Sequence, residues 1–359
     1  MILGIIGLPS SSKTTIFNAL TGSDRPVGQQ VAGKLESYTA VVDVPDPRVD
    51  QLSTLFHPRR TTYAKVSYID IAGLGKGVGR KGLSGPFRNQ IASTDGFVHV
   101  VRAFEDPTVP HPEGSVDPVR DVAIMDTELL LADLVVVETK LERLANELRR
   151  APNKDKLAIQ KEIALFERLQ ATLEAETPLR DLALTLKERR NLRSYAFLTL
   201  KPILLLINTG DEERDPADIL SYPHAASTVA TIKGRVEMEI AQLESEERDE
   251  FLHEYGIAEA GLNRIIRISY DLVGLQSFFT VGEDEVRAWT VHRGARAVEA
   301  AGVIHTDLSR GFIRAEVAGY QQVLAHQGWS AARTAGAIQL EGKEYEVQDG
   351  EVLHVRFNV

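Results

Sequence analysis

Short apolar runs ended by turn residues set out the first half of the chain. Residues 2–7 (Ile-Leu-Gly-Ile-Ile-Gly) have the length and character of a buried strand. A polar turn of Ser, Lys and Thr follows, and Ile16-Phe17-Asn18-Ala19-Leu20 then begins a helical pattern. Further strands are expected at 40–44, which stops at Pro45-Asp46-Pro47, and at 64–71, 96–103 and 203–207. Strands alternating with helices predict an α/β fold with a mostly parallel sheet.

The interval before residue 203 has another period. Leu130, Leu134, Val137, Leu141, Leu144 and Leu148 recur at alternating spacings of four and three, an apolar seam of heptad type. Pro152-Asn153 breaks it, and Ile159, Ile163, Phe166, Leu169 and Leu173 continue on a second helix. The pattern predicts an antiparallel helical hairpin inserted into the α/β domain. Its outer faces mix acids and bases in nearly equal numbers, as a solvated coiled coil does; a dedicated partner-docking arm is the alternative. From about residue 281 short strand-like runs at 286–291, 337–340, 345–347 and 352–357 predict a small α+β or β-grasp-like module, with Asp349-Gly350 as a turn.

Composition narrows the chemistry. A net charge of −10 in 359 residues argues against broad attraction to nucleic acid or anionic membrane. No specific DNA binding is expected. There are no cysteines, so disulfides, thiolate metal sites and thiol redox sensing are excluded. No stretch approaches the ~20 apolar residues of a membrane span, and a cytoplasmic protein is expected.

The turn after the first strand carries the strongest motif. Gly7-Leu8-Pro9-Ser10-Ser11-Ser12-Lys13-Thr14 follows a strand and opens a helix, the context of G-x-x-x-x-G-K-[ST] with Ser12 in the last glycine position. Such a turn directs successive backbone N–H groups at phosphate oxygens, and the helix adds its positive end. Pro9, Ser10, Ser11, Ser12, Lys13, Thr14 and Thr15 are therefore the expected phosphate-binding residues. Lys13 is expected to reach the β- and γ-phosphates and Thr14 to offer its hydroxyl to Mg²⁺. A left-handed backbone at position 12 costs Ser roughly 1–2 kcal/mol relative to Gly.

Two further segments complete the pattern. Asp70-Ile71-Ala72-Gly73 ends a strand, where Asp70 can hold Mg²⁺ through water and the Gly73 N–H can meet the γ-phosphate. Asn208-Thr209-Gly210-Asp211 resembles the N-K-x-D turn that reads guanine, with Thr209 in place of lysine. Asp211 would accept from the base, Asn208 would brace the turn, and Gly234 would offer a backbone N–H to either purine. ATP and GTP both remain open as ligands.

With these parts in place the chain resembles the YchF-type Obg-like ATPase family of P-loop proteins, nearly end to end. Val44-Pro45-Asp46-Pro47-Arg48, Asp70-Ile71-Ala72-Gly73-Leu74, Asp126-Thr127-Glu128-Leu129, Arg287-Ala288-Trp289-Thr290 and Gly311-Phe312-Ile313-Arg314-Ala315 carry the likeness. The resemblance implies a P-loop G domain at 1–125 and 200–280, a helical hairpin at 126–199 and a TGS domain at 281–359. It also implies slow NTP hydrolysis and a ribosome as partner. His111, in the loop 107–112, aligns with the family's proposed catalytic histidine, and Leu74 stands where other G proteins carry a water-orienting Gln. Departures are Ser10 and Ser12 in the phosphate turn and Lys34 at the place of the Mg²⁺-binding switch Thr. Thr39 as a substitute ligand, a slipped alignment and a differently built switch are the alternatives there. Asp211 stands where the family has Glu, which leaves GTP beside ATP. The alternative to a slow hydrolase is a nucleotide-gated binding module with negligible turnover.

Overall fold

The computed structural model describes residues 1–24, 37–71, 83, 85–243, 247–248, 250–251 and 259–358. Lys34, Gly73 and Leu74 lie outside these residues. The chain divides into two compact units, one of residues 1–40 and 67–265, the other of 41–66 and 266–359.

The first unit is built on β1 (Ile2–Ile6), α1 (Lys13–Thr21), β2 (Ser37–Asp43), β4 (Lys65–Ile71), α3 (Gly85–Ala92), β5 (Gly96–Arg102), β6 (Ile203–Asn208), β7 (Ser227–Ile232) and α7 (Gly234–Gln242), with β2 and β4 running on into the segment 41–66. The sheet order is β2-β4-β1-β5-β6-β7, and the pairs β1–β4, β1–β5, β5–β6 and β6–β7 are parallel. The expected α/β sheet is therefore present. β5 and β6 are buried at every residue, which suits their unbroken apolar runs in the sheet's centre. The sequence does not signal β7, because Ser-Thr-Val-Ala-Thr-Ile mixes hydroxyls with small apolar groups and lacks an apolar run.

The hairpin consists of α4 (Pro118–Arg150) and α5 (Asn153–Glu174). Asp117 caps α4 by accepting from the Arg120 N–H, and Pro118 suits the first helical position. Val137 and Leu144 of the seam pack with Ile159, Phe166, Leu169 and Leu173 in a core of their own. Nothing in the sequence stops the helix at residue 126, so the helix starts at Pro118 and serves two cores. Val122, Met125 and Leu129 join the sheet's core, and Val137 and Leu144 join the hairpin's.

The second unit holds α2 (Pro47–Phe56), β3 (Arg60–Thr62), β8 (Leu275–Thr280), β9 (Glu285–His292), β10 (Phe312–Gly319), β11 (Gln339–Glu341) and β12 (Glu351–Phe357). Its sheet order is β11-β10-β12-β8-β9-β3. A β8–β9 hairpin, a crossing helix Ala297–Ile304 and a β12 parallel to β8 make a β-grasp arrangement. Ala297, Ala300 and Ala301 let that helix lie close on Phe278, Phe312 and Leu353. The run 345–347, expected as a strand, makes only an isolated bridge between Glu346 and Arg296. Segment 41–66 belongs to this unit through β3, which pairs in parallel with β9.

Candidate nucleotide-binding site

Parallel strands bring the candidate residues to one edge. Ile5 of β1 lies beside Asp70 of β4, and Asn208 of β6 lies beside Arg102 of β5 and Ile232 of β7. The turns that follow β1, β5, β6 and β7 therefore lie at the carboxyl ends of the sheet, where ligands of open α/β sheets bind.

The turn between β1 and α1, where phosphate binding is expected, has an unusual backbone. Gly7 has φ 147°, and a Cβ there would lie 2.4 Å from the Val100 carbonyl oxygen. Ser10 and Ser12 are left-handed at φ 62° and 71°. Ser12 is the N-cap of α1, and its side chain makes no capping hydrogen bond. The strain expected at position 12 is thus present, and Ser10 adds a second strained residue.

Lys13 lies beneath the turn. Its Nζ donates to the Gly7 and Leu8 carbonyl oxygens at 3.0 and 2.7 Å. The residue as a whole is half-buried, yet its ammonium is enclosed by the loop. Burial lowers its pKa to about 8, against the pull of the Asp70 carboxylate. The Ser11 hydroxyl is buried in the same turn with no partner among the described residues. Thr14 Oγ1 donates to Asp70 Oδ2 at 3.1 Å, so the two expected metal groups adjoin. A hydroxyl and a carboxylate side by side are the hard oxygen donors that Mg²⁺ takes, directly or through water. Thr39, by contrast, is exposed on the edge strand β2. Among the described contacts none joins it to Thr14 or Asp70.

On the base side, Asn208 Oδ1 accepts from the N–H of Gly210 at 3.3 Å and of Gly234 at 3.1 Å. Asn208 thereby ties the 208–211 turn to the start of α7. The Gly234 N–H is committed to Asn208, and a Cβ at Gly234 would lie 2.8 Å from Asn208 Nδ2 and 2.9 Å from Ile16 Cδ1. Thr209 is buried and donates to the Glu212 carbonyl at 2.6 Å, so it closes the turn and covers nothing. Asp211 is exposed.

His111 sits in the loop before α4, its side chain 5% exposed. Its Nε2 is 2.9 Å from Asp121 Oδ2, and its Nδ1 accepts from the Glu113 N–H at 3.2 Å. That pair of bonds sets the tautomer with the proton on Nε2.

Two residues at this edge carry no motif. Arg102 is buried and holds the following loop by donating to the carbonyls of Phe104, Val109 and Asp106. His99, beside Ile6 in the sheet, is fully enclosed. Burial first, and the Lys13 charge second, push its pKa down to about 3. Both sit in a strand read only for its apolar run, and a lone polar residue there has no sequence signature.

The C-terminal residues 275–358 match the YchF-GTPase_C family model, whose description reads "Protein of unknown function (DUF933)". The chain is 40% identical to the ribosome-binding ATPase YchF of Bacillus subtilis and 42% identical to that of Haemophilus influenzae, in each case over 99% of both chains. It superposes on the structure of the Schizosaccharomyces pombe YchF GTPase with a TM-score of 0.85 at 32% identity, over 99% of this chain and 97% of that one. Likeness on this scale, running from the phosphate turn to the last strand, makes the chain a member of the YchF family.

Proposed function

We propose that this chain binds a purine nucleoside triphosphate at the 7–15 turn, hydrolyses it slowly and works with the ribosome. The observation that carries the reading is the arrangement of Lys13, the unpartnered Ser11 hydroxyl and the Thr14–Asp70 pair around one strained turn. The names of the bacterial relatives, ribosome-binding ATPases, support the partner and the reaction.

In this reading the backbone N–H groups of residues 10–15 donate to phosphate oxygens. Lys13 exchanges the Gly7 and Leu8 carbonyls for β- and γ-oxygens, and the Ser11 hydroxyl donates to the same phosphates. Thr14, through its hydroxyl, and Asp70, through a water, are the residues that would hold Mg²⁺. Mg²⁺, when bound, neutralises charge that develops on the transferring phosphoryl group. Thr39 takes no part.

Asp211 accepts from the base, and its exposed carboxylate suits the N1–H and N2–H₂ of guanine. Gly234 serves as a spacer, since any side chain there strikes Asn208. His111 acts on water only after its ring leaves Asp121 and Glu113. Residues 281–359, with β8, form the TGS module. A cytoplasmic location follows from the ribosomal partner.

A second reading, nucleotide-gated binding with negligible turnover, is favoured by the double hydrogen bonding of the His111 ring. Single-turnover hydrolysis separates the two. The hydrolase reading expects a rate that needs Mg²⁺ and falls at least tenfold in His111→Ala; a rate indifferent to both leaves the binding module. Side-by-side titration with ATP and GTP, repeated on Asp211→Asn, tests base reading. An unchanged GTP:ATP ratio would show that Asp211 does not touch the base.

A further inference from the structure

We propose that the tip of the hairpin, residues 143–161, is a docking surface for RNA backbone, and that its occupant is ribosomal RNA. The proposal rests on the ribosome-associated reading above and names the part of the chain that makes the contact. This segment carries six basic residues (Arg143, Arg149, Arg150, Lys154, Lys156 and Lys161) and two acidic ones (Glu147 and Asp155), a local charge of +4 in a chain of −10.

A charged helix end is ordinarily a solvated face, and three observations set this one apart. Further down the hairpin, cations are paired with anions: Lys140 with Glu162 and Arg168 with Glu188, both at 2.8 Å. Among the described residues, Arg149, Arg150, Lys154 and Lys156 make no ion pair. Arg149 and Arg150 suit the negative end of α4, so they have a stabilising role. Lys154 and Lys156, however, are the second and fourth residues of α5, at a helix N-terminus, where a cation is unfavourable by about 0.3–1 kcal/mol.

The same terminus has Pro152 as N-cap, which provides no side-chain acceptor. Its leading N–H groups add to the positive field, with Asp155 the lone acid of the first turn. Leu157, 62% exposed, is a large apolar side chain beside them, placed to cover a sugar or base edge. Nothing in the local fold asks for this arrangement, because the apolar core that holds the helices ends at Ala151 and Ile159, and Lys154, Lys156 and Leu157 take no part in it.

The charge layout also answers a physical difficulty. An acidic body is repelled by a polyanion, so contact favours a projecting positive end. α4, at 33 residues, is about 50 Å long and puts its basic end far from the sheet that roots it. Each phosphate neutralised releases counterions and adds about 0.7–0.9 to the slope of log affinity against log salt.

The test compares the unaltered protein with a variant in which Arg149, Arg150, Lys154 and Lys156 are all Ala, by co-sedimentation with ribosomes from 50 to 200 mM salt (~50–200 mM). The variant is expected to bind at least roughly tenfold more weakly, with a shallower salt slope, and to keep its melting temperature and its nucleotide affinity. Equal sedimentation of the two overturns the proposal and leaves the ribosome reading standing. Failure of the unaltered protein to sediment removes both. Because the chain has no cysteine, Asn153→Cys gives a single thiol for an iron chelate that cleaves nearby RNA. Cuts confined to a few stretches of ribosomal RNA are expected. A sedimenting, labelled protein that cuts no RNA, as when the tip rests on ribosomal protein, also overturns the proposal.

Discussion

Lys13 works under a constraint that its motif does not reveal. With its pKa lowered to about 8 by burial, the free protein loses the ammonium charge above that pH. The proposed triphosphate complex would keep the charge, so binding above pH 8 would take up a proton. Affinity is therefore expected to be level from pH 6.5 to 7.5 (~6.5–7.5) and to fall by up to about tenfold per unit above pH 8. Titration with a fluorescent analogue at each pH checks this, and constant affinity to pH 9.5 (~9.5) would mean that Lys13 stays charged in the free protein. Ser12 is the second residue whose local cost is visible. Its left-handed backbone at φ 71° disfavours any Cβ. Ser12→Gly relieves about 1–2 kcal/mol of strain and returns about 0.5–1 kcal/mol as added chain entropy in the unfolded state. A net gain of about 0.5–1 kcal/mol is expected in chemical denaturation. A loss would show that the Ser12 side chain contributes more than its strain.

At the scale of elements, one carboxylate roots the hairpin. Asp133 of α4 is fully buried and accepts from the Leu198 N–H, the Thr199 N–H and the Thr199 hydroxyl, all at 2.8 Å. Those donors lie just before β6, so the bonds tie the long helix to the chain's return into the sheet. Asp133→Ala leaves three buried donors without an acceptor and is expected to cost about 3 kcal/mol or more. Equilibrium unfolding that shows a loss below about 1 kcal/mol would mean water replaces the carboxylate. The periodicity of the seam made both helices legible in the sequence, because a 3.5-residue repeat fits no other structure. The anchor was not legible, since a single Asp on a helix face signals nothing until the chain returns to it sixty-five residues later. Asn208 shows the same limit from the other side. Its motif was readable as a turn, yet its bond to the Gly234 N–H depends on β6 and β7 being neighbours.

For the molecule as a whole, the division into units carries a prediction of its own. Segment 41–66 belongs with residues 266–359: β3 extends the sheet beside β9, Thr62 donates to Glu285 at 2.7 Å, and Arg48 donates to Asp349 at 2.7 Å. The Arg48 guanidinium also lies over the Phe279 ring at 5.2 Å. A fragment of residues 266–359 lacks all of these contacts. It is expected to melt without a cooperative transition, whereas the same fragment mixed with a peptide of residues 41–66 regains one. Cooperative melting of the fragment alone, followed by circular dichroism, would show that the β-grasp core suffices. The sequence by itself determined the central strands, the two long helices, the turn between β1 and α1 and the acid near the end of β4, because each rests on a local period or spacing that physics ties to one structure. Tertiary structure alone decided that Thr14 meets Asp70, that His111 is held by Asp121, that α4 serves two cores and that 41–66 joins the C-terminal sheet. Those outcomes depend on which distant segments become neighbours, and no local pattern of side chains encodes a neighbour.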